Sequence, residues 1–415
     1  MKKAICFAGG GSKGAYQLGA WKALEELGES FDIATGTSIG SINAAFYVQQ
    51  DFQKAQEMWF NVEAAAVMVN GINLEKSFQS VYHQREQLVP FLKTYIHSKG
   101  ADVSPFHNNI QKYFDSEAFF ASSVDFALMT VKFPSVSPVE ITKEQMRTRG
   151  DAAWEWLAAS AAAFPVFPVM TIDGEDYIDG GYYDNLPIAS AFKLGAESVV
   201  AIDLSYDNRD ERYYQHPSVT YIRPTKDLGA FLNFDREAIE FSYNLGYFDT
   251  MKVYGKYLGN KYTFSFKDKS LSEAAGQEFL RLLTSMEAAF DFSSSVHFQR
   301  INKQKGCTAI LCESMRKEKC TPEELFIAAL EEYLTLLGLD DSVTYDFEQL
   351  MYDLKFEADR IYPFLEYDTD TAFTTSIKFI KKKTTLKPKS IKIEDDRMKI
   401  IIMSVIRALQ HIRIV

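Results

Sequence analysis

The chain has 415 residues, 47% of them hydrophobic and 24% charged, with a formal net charge of -11. These proportions exclude disordered and collagen-like chains, and the acidic balance argues against a nucleic-acid partner, which needs a basic face to displace phosphate counterions. The length exceeds what one hydrophobic core usually holds, so two units are expected.

The N-terminal Met1-Lys2-Lys3 carries the charge of a signal peptide, but the apolar stretch 4–8 is too short for its core and runs into glycines. No window approaches the roughly 18 apolar residues of a membrane span; the nearest, 158–170, is broken by Pro165 and Pro168. The sequence therefore reads as cytoplasmic, with membrane contact restricted to peripheral association at the inner face. Cys6, Cys307, Cys312 and Cys320 lack the paired spacing of a zinc site and read as reduced thiols.

Residues 3–8 form a short apolar run ending in glycines, and from Ala15 the spacing of Leu18, Trp21, Leu24 and Leu27 predicts a helix that Gly28 stops. A second strand over 31–35 and a second helix from 41 complete a β-loop-α-β-turn-α unit, which predicts an α/β fold with a mainly parallel sheet. Further strands are expected at 126–133, 169–172, 177–178, 199–204 and 220–222, with helices between 52 and 120 and over 154–163. Beyond about residue 260, long helical patterns such as 322–337 and 347–360 dominate. The expected division is 1–260 and a mostly helical 261–415, to which the sequence assigns no role.

Gly9-Gly10-Gly11-Ser12-Lys13-Gly14 satisfies G-x-G-x-x-G between strand and helix, where glycines let the backbone turn and aim free N–H groups at negative charge. A dinucleotide site would share that pattern, but it also needs an acid at the end of the second strand. Asp32 lies near the beginning of that strand, and its end carries Gly36-Thr37-Ser38-Ile39-Gly40. G-x-S-x-G between strand and helix sets a serine on a tight turn, exposed for attack; a glycine turn capped by Ser38 has the same pattern. A serine needs a proton acceptor, and none of the six histidines lies in a motif that would supply one. Asp179-Gly180-Gly181 ends an apolar strand with space beside a carboxylate, although by itself it is also an ordinary turn.

Together, G-G-G-S-K-G at 9–14, G-T-S-I-G at 36–40 and D-G-G at 179–181, in that order, resemble the patatin-like phospholipases, as does the segment 159–168 preceding the aspartate. Arg223-Pro224, Asp227-Leu228-Gly229 and Gly246-Tyr247 are similar to late elements of bacterial members, so the resemblance covers about 1–255. It implies a three-layer α/β/α fold and a serine lipid acyl hydrolase of phospholipase A or lysophospholipase type. In that reading Ser38 is the nucleophile, Asp179 the base, and the Gly10 and Gly11 amides the oxyanion hole, with no metal or cofactor. Lys13 would steady the loop or meet a lipid phosphate, unless it is simply solvated. Ala8 replaces a residue polar in many members, and D-G-G replaces D-G-A.

An acyl lipid or phospholipid is the expected substrate. The competing functions are an esterase or thioesterase on soluble acyl compounds, a non-catalytic lipid- or partner-binding protein, and a dinucleotide-binding oxidoreductase. Two segments could approach lipid: an apolar patch at 64–69, and a lysine cluster at 378–392 followed by a helix with Met398, Ile402, Val405, Leu409 and Ile412 on one face. That helix reads either as a membrane element or as docked on its own domain, and the neighbouring acids Glu394, Asp395 and Asp396 favour docking.

Overall fold

The computed structural model describes residues 2–61, 102–206, 212–213, 215–291, 306–361 and 396–412. The chain divides into two compact units, Met1–Val253 and Tyr254–Val415. The patch at 64–69 and the lysine cluster at 378–392 fall outside the described residues.

An eight-stranded sheet forms the first unit, in the order β5-β6-β3-β2-β1-β7-β8, with β4 paired to β3. The strands are β1 (Lys3–Phe7), β2 (Ile33–Thr37), β3 (Asp125–Phe133), β4 (Ser137–Thr142), β5 (Met170–Ile172), β6 (Glu175–Asp179), β7 (Ser198–Ile202) and β8 (Val219–Ile222). The central strands β1, β2 and β7 are buried on both faces, as expected where helices cover a parallel sheet on each side. β1–β2, β1–β7, β2–β3 and β7–β8 pair in parallel, while β4 and β6 run antiparallel to β3 and β5 antiparallel to β6. The architecture is α/β with a mostly parallel sheet.

The principal helices of this unit are α1 (Ala15–Glu26), α2 (Ile39–Gln49), α3 (Phe52–Asn61), α4 (Ser104–Tyr113), α5 (Trp154–Ser160), α6 (Ile188–Lys193) and α7 (Arg236–Val253). Several elements differ by a few residues from their expected bounds, and two of these frame the elbow. β2 lies two residues later than the apolar run suggested, because Gly36 and Thr37 still pair with Leu128 and Met129. α2 begins at Ile39 rather than at 41, since the turn at Ser38 leads directly into it. β4 had no sequence expectation.

The second unit contains α8 (Ser270–Asp291), α9 (Cys307–Ser314), α10 (Pro322–Leu337), α11 (Phe347–Ile361) and α12 (Asp396–His411), with a parallel pair of short strands, β9 (Thr263–Ser265) and β10 (Thr344–Asp346). α10 starts with a capping box between Thr321 and Glu324 and stops at Gly338 in the left-handed conformation, so both ends are written locally. On α12, Ile402, Val405 and Leu409 are fully buried in one cluster with Phe279 of α8 and Leu330 of α10. The apolar face of this helix is therefore used in its own core and is not available to a membrane. No helix among the described residues is long and apolar enough to cross one.

Candidate active site

The sheet register brings the elbow serine and the distant aspartate together. β2 runs parallel to β3 and ends with Thr37 opposite Met129, whereas β6 runs antiparallel and ends with Asp179 opposite Thr130. Their C-terminal ends thus converge on successive residues of one strand. Ser38 follows Thr37 directly, which sets its hydroxyl beside the Asp179 carboxylate, near enough to favour the charged form. Gly180 is pressed into the same junction, where a Cβ would lie 2.1 Å from the Met129 carbonyl oxygen.

Ser38 adopts φ 56°, ψ -131° at the head of α2. A non-glycine residue in such a conformation carries about 1 to 3 kcal/mol of strain and persists only where its surroundings hold it. Flanking glycines make the turn possible: a Cβ on Gly36 would sit 2.2 Å from the Gly40 carbonyl oxygen, and one on Gly40 2.3 Å from that of Phe7. The strained residue is also anchored from outside, because its backbone N–H donates to Ser160 Oγ at 2.9 Å. Ser160, fully buried at the end of α5, in turn donates to the Met129 carbonyl at 2.7 Å. Both hydrogen-bonding directions of this hydroxyl are thus committed, and the elbow is tied to β3. The sequence reading gave Ser160 no role.

Asp179 is only 6% exposed, and burial is the main cause that pushes its carboxyl up to about 6, with the Ser38 hydroxyl and the Gly181 amide opposing that rise. The Gly181 N–H donates to Asp179 Oδ1 at 2.7 Å, and the Asp179 N–H donates to the Ala162 carbonyl at 2.9 Å. Main-chain bonds therefore fix the aspartate on both sides. A carboxylate with a raised proton affinity, set beside a serine hydroxyl, can accept that proton near neutral pH.

The glycine loop passes close over this pair. A Cβ on Gly9 would meet Asn185 Oδ1 at 2.5 Å and Ser38 Cβ at 3.0 Å, so only glycine permits the approach. Asn185 clamps the loop: its carbonyl accepts from Gly9 N at 3.0 Å, and its Nδ2 donates to Gly9 O at 3.1 Å. The Ser12 amide and hydroxyl reach the Phe231 carbonyl. Farther along, Gln17 Nε2 donates to Ala8 O, Asn43 Nδ2 donates to Gly14 O and to Gln17 Oε1, and Trp59 Nε1 donates to Asn43 Oδ1. All three side chains are buried. The Gly10 and Gly11 amides find no acceptor among the described residues, and Gly11 lines the same pocket as Ser38. Lys13 is half-exposed and has no ion-pair partner among the described residues. Thr37 Oγ1 donates to the Asp184 carbonyl at 2.8 Å, a bond that ties β2 to the turn after Asp179.

Ser38 and Ile39 open onto a pocket of about 640 Å³, counting its solvent-open side, with walls that include Ile42, Trp59, Ile110, Phe167 and Phe231. Its chemistry suits an aliphatic chain. Among the described histidines, His107, His216 and His411, none lines it. The supporting residues Ser160, Asn185, Gln17, Asn43 and Trp59 were all missed from the sequence. Asn185 had a faint signal, since it ends the D-G-G-Y-Y-D-N run; the others are single polar residues inside helices.

Residues 5–192 match the family described as patatin-like phospholipase. Patatin-like phospholipase domain-containing protein 6 of Mus musculus is 30% identical over 216 residues, 51% of this chain and 14% of that protein. Lysophospholipase NTE1 of Mycosarcoma maydis is 26% identical over 215 residues, 52% of this chain and 10% of that protein. The chain thus spans a small part of the length of these relatives. Among solved structures, VipD from Legionella pneumophila is similar at 13% identity over 94% of this chain and 93% of its own, with a TM-score of 0.41.

Proposed function

We propose, from the premise that residues 5–192 are a patatin-like phospholipase domain, that the protein hydrolyses lipid acyl esters through Ser38 and Asp179. The observation that carries the reading is the Ser38 hydroxyl standing beside a buried carboxylate that burial raises to about 6. As Ser38 Oγ attacks the ester carbonyl, Asp179 takes its proton and the Gly10 and Gly11 amides receive the developing oxyanion. The tetrahedral intermediate then collapses, the alcohol leaves with the proton from Asp179, and the acyl group stays on Ser38. Water, deprotonated by the same carboxylate, attacks the acyl carbonyl; the fatty acid departs and Ser38 recovers its proton. The apolar pocket beside Ser38 accommodates the acyl chain, and Lys13, half-exposed on the glycine loop, meets a headgroup phosphate.

The relatives named as lysophospholipases make single-chain phospholipids the first substrates to test. Lysophosphatidylcholine and a mixture of diacyl phospholipids are digested with wild-type protein, Ser38→Ala and Asp179→Asn, and the fatty acid released is measured by mass spectrometry. Release that depends on both residues is expected. Equal release by Ser38→Ala would refute the reading, and no release from either lipid beside Ser38-dependent hydrolysis of a p-nitrophenyl ester would reassign the substrate while keeping the dyad.

A further inference from the structure

We propose that the acyl-chain site continues past the pocket at Ser38 into a second, inner pocket along α2, and that Met58 is the gate between them, so that the protein selects substrates by acyl-chain length. This inference rests on the ester-hydrolase reading above. The two pockets share Ile42, Met58 and Ile110 as common walls. The inner one is tight: it spans about 220 Å³ only when its solvent-open side is counted, a third of the outer one on the same measure, so a chain enters it only by moving a wall.

The direction follows from the helix. Ile42, Ala45, Phe46 and Gln49 all line the inner pocket and are spaced i, i+3, i+4, i+7, which places them along one face of α2. Ser38 stands at the N-terminal end of that helix, and at about 1.5 Å per residue Gln49 lies roughly 16 Å along the axis from it. An acyl group esterified to Ser38 that passes Ile42 is thereby led along α2, away from the reacting carbonyl.

The chemistry of the inner walls agrees. Ile42, Ala45 and Ile110 are each 3% exposed, and Leu157 is buried across from them. The polar groups present are already engaged: Gln49 Nε2 donates to the Tyr113 carbonyl at 3.3 Å, Gln49 Oε1 accepts from the Asp115 amide at 2.9 Å, and the Tyr113 hydroxyl donates to Glu57 at 3.2 Å. A chain entering there meets methyl, methylene and ring surface, and methylenes gain by leaving water. Of the three shared walls, Ile42 and Ile110 are branched at Cβ and stiff, whereas Met58 is unbranched, half-exposed and able to swing aside. A short acyl group ends before this constriction; a long one must displace Met58.

The test compares kcat/KM for p-nitrophenyl butanoate, octanoate and palmitate in wild type, Ala45→Phe, Leu157→Phe and Met58→Ala. Ala45 and Leu157 line the inner pocket and not the outer one. Either phenylalanine should lower the palmitate-to-butanoate ratio by about tenfold or more, the discrimination expected when an apolar pocket loses room for a methylene or two. Met58→Ala should raise that ratio. Two phenylalanine variants on opposite walls keep the test decisive if one does not fold, which tryptophan fluorescence will report. An unchanged ratio in a folded phenylalanine variant and in Met58→Ala would overturn the gate while Ser38-dependent hydrolysis continued. Absence of Ser38-dependent hydrolysis of any of the three esters would overturn the ester-hydrolase reading itself, and the gate with it.

Discussion

Replacing Asp179 with asparagine should abolish activity and at the same time stabilise the fold, because the carboxylate is held where its charge is costly. Burial raises this group from an ordinary 3.8 to about 6. Between those values the folded protein binds more protons than the unfolded one, so stability is lost as pH rises through the window. Below 3.8 the carboxyl is neutral in both states and ionisation costs nothing; above 6 the full difference of about 2.2 pH units costs about 3 kcal/mol. Asparagine has no charge to bury, and its side chain can still accept from the Gly181 amide. Asp179→Asn should therefore be more stable than wild type by up to about 3 kcal/mol at pH 7.5 and by only about 1 kcal/mol at pH 4.5. All four tryptophans, Trp21, Trp59, Trp154 and Trp156, lie in the first unit, so urea unfolding followed by tryptophan fluorescence reads the relevant domain. A variant equal to or less stable than wild type at pH 7.5, or a gain that did not shrink at pH 4.5, would refute the account of the buried carboxylate.

The same titration governs catalysis: kcat/KM of the wild type should fall about tenfold for each pH unit below about 6, where Asp179 becomes protonated, and a flat profile down to pH 4.5 would remove it as the base. Ser160→Ala leaves the Ser38 amide without its partner, a loss of about 1 to 3 kcal/mol; kcat should drop about tenfold with KM little changed, Ser160→Thr should restore part of it, and equal losses in both would reduce Ser160 to a packing residue. Gly9→Ala should lose activity because its methyl group would collide with Asn185 and Ser38, and wild-type rates would show that the loop does not approach the serine. In the second unit, Glu331 accepts from the amides of Asn260, Lys261 and Tyr262 at 2.6, 3.1 and 3.0 Å. Glu331→Gln should cost about 2 kcal/mol by circular dichroism in urea, and an unchanged midpoint would show the clamp to be dispensable.

The parts of the fold legible in the sequence are those written in neighbouring residues. β1, the glycine loop and α1 follow from a short apolar run, three glycines and a helical spacing, and α10 follows from apolar periodicity ended by Gly338. Ser38 was legible because the elbow needs glycine on both sides within five residues. Its meeting with Asp179 was not legible from the residues themselves. It depends on β2 and β6 ending against Met129 and Thr130 of a third strand, a register set by pairings about 90 and 50 residues apart in the chain. The antiparallel β4 was missed for a related reason, since all but one of its residues are exposed or half-exposed and take their strand character from β3. Ser160, Gln17 and Asn43 are invisible to pattern reading because a single buried polar group inside a helix has no period. Their importance lies in which main-chain atom they reach.

The most direct test of the central claim is mass spectrometry of the protein after reaction with a fluorophosphonate ester, which phosphonylates an activated serine and mimics the acyl intermediate. The account predicts a single adduct on the peptide containing Ser38, formed far more slowly in Asp179→Asn. Labelling at another serine, or labelling of Ser38 at the same rate in Asp179→Asn, would contradict it.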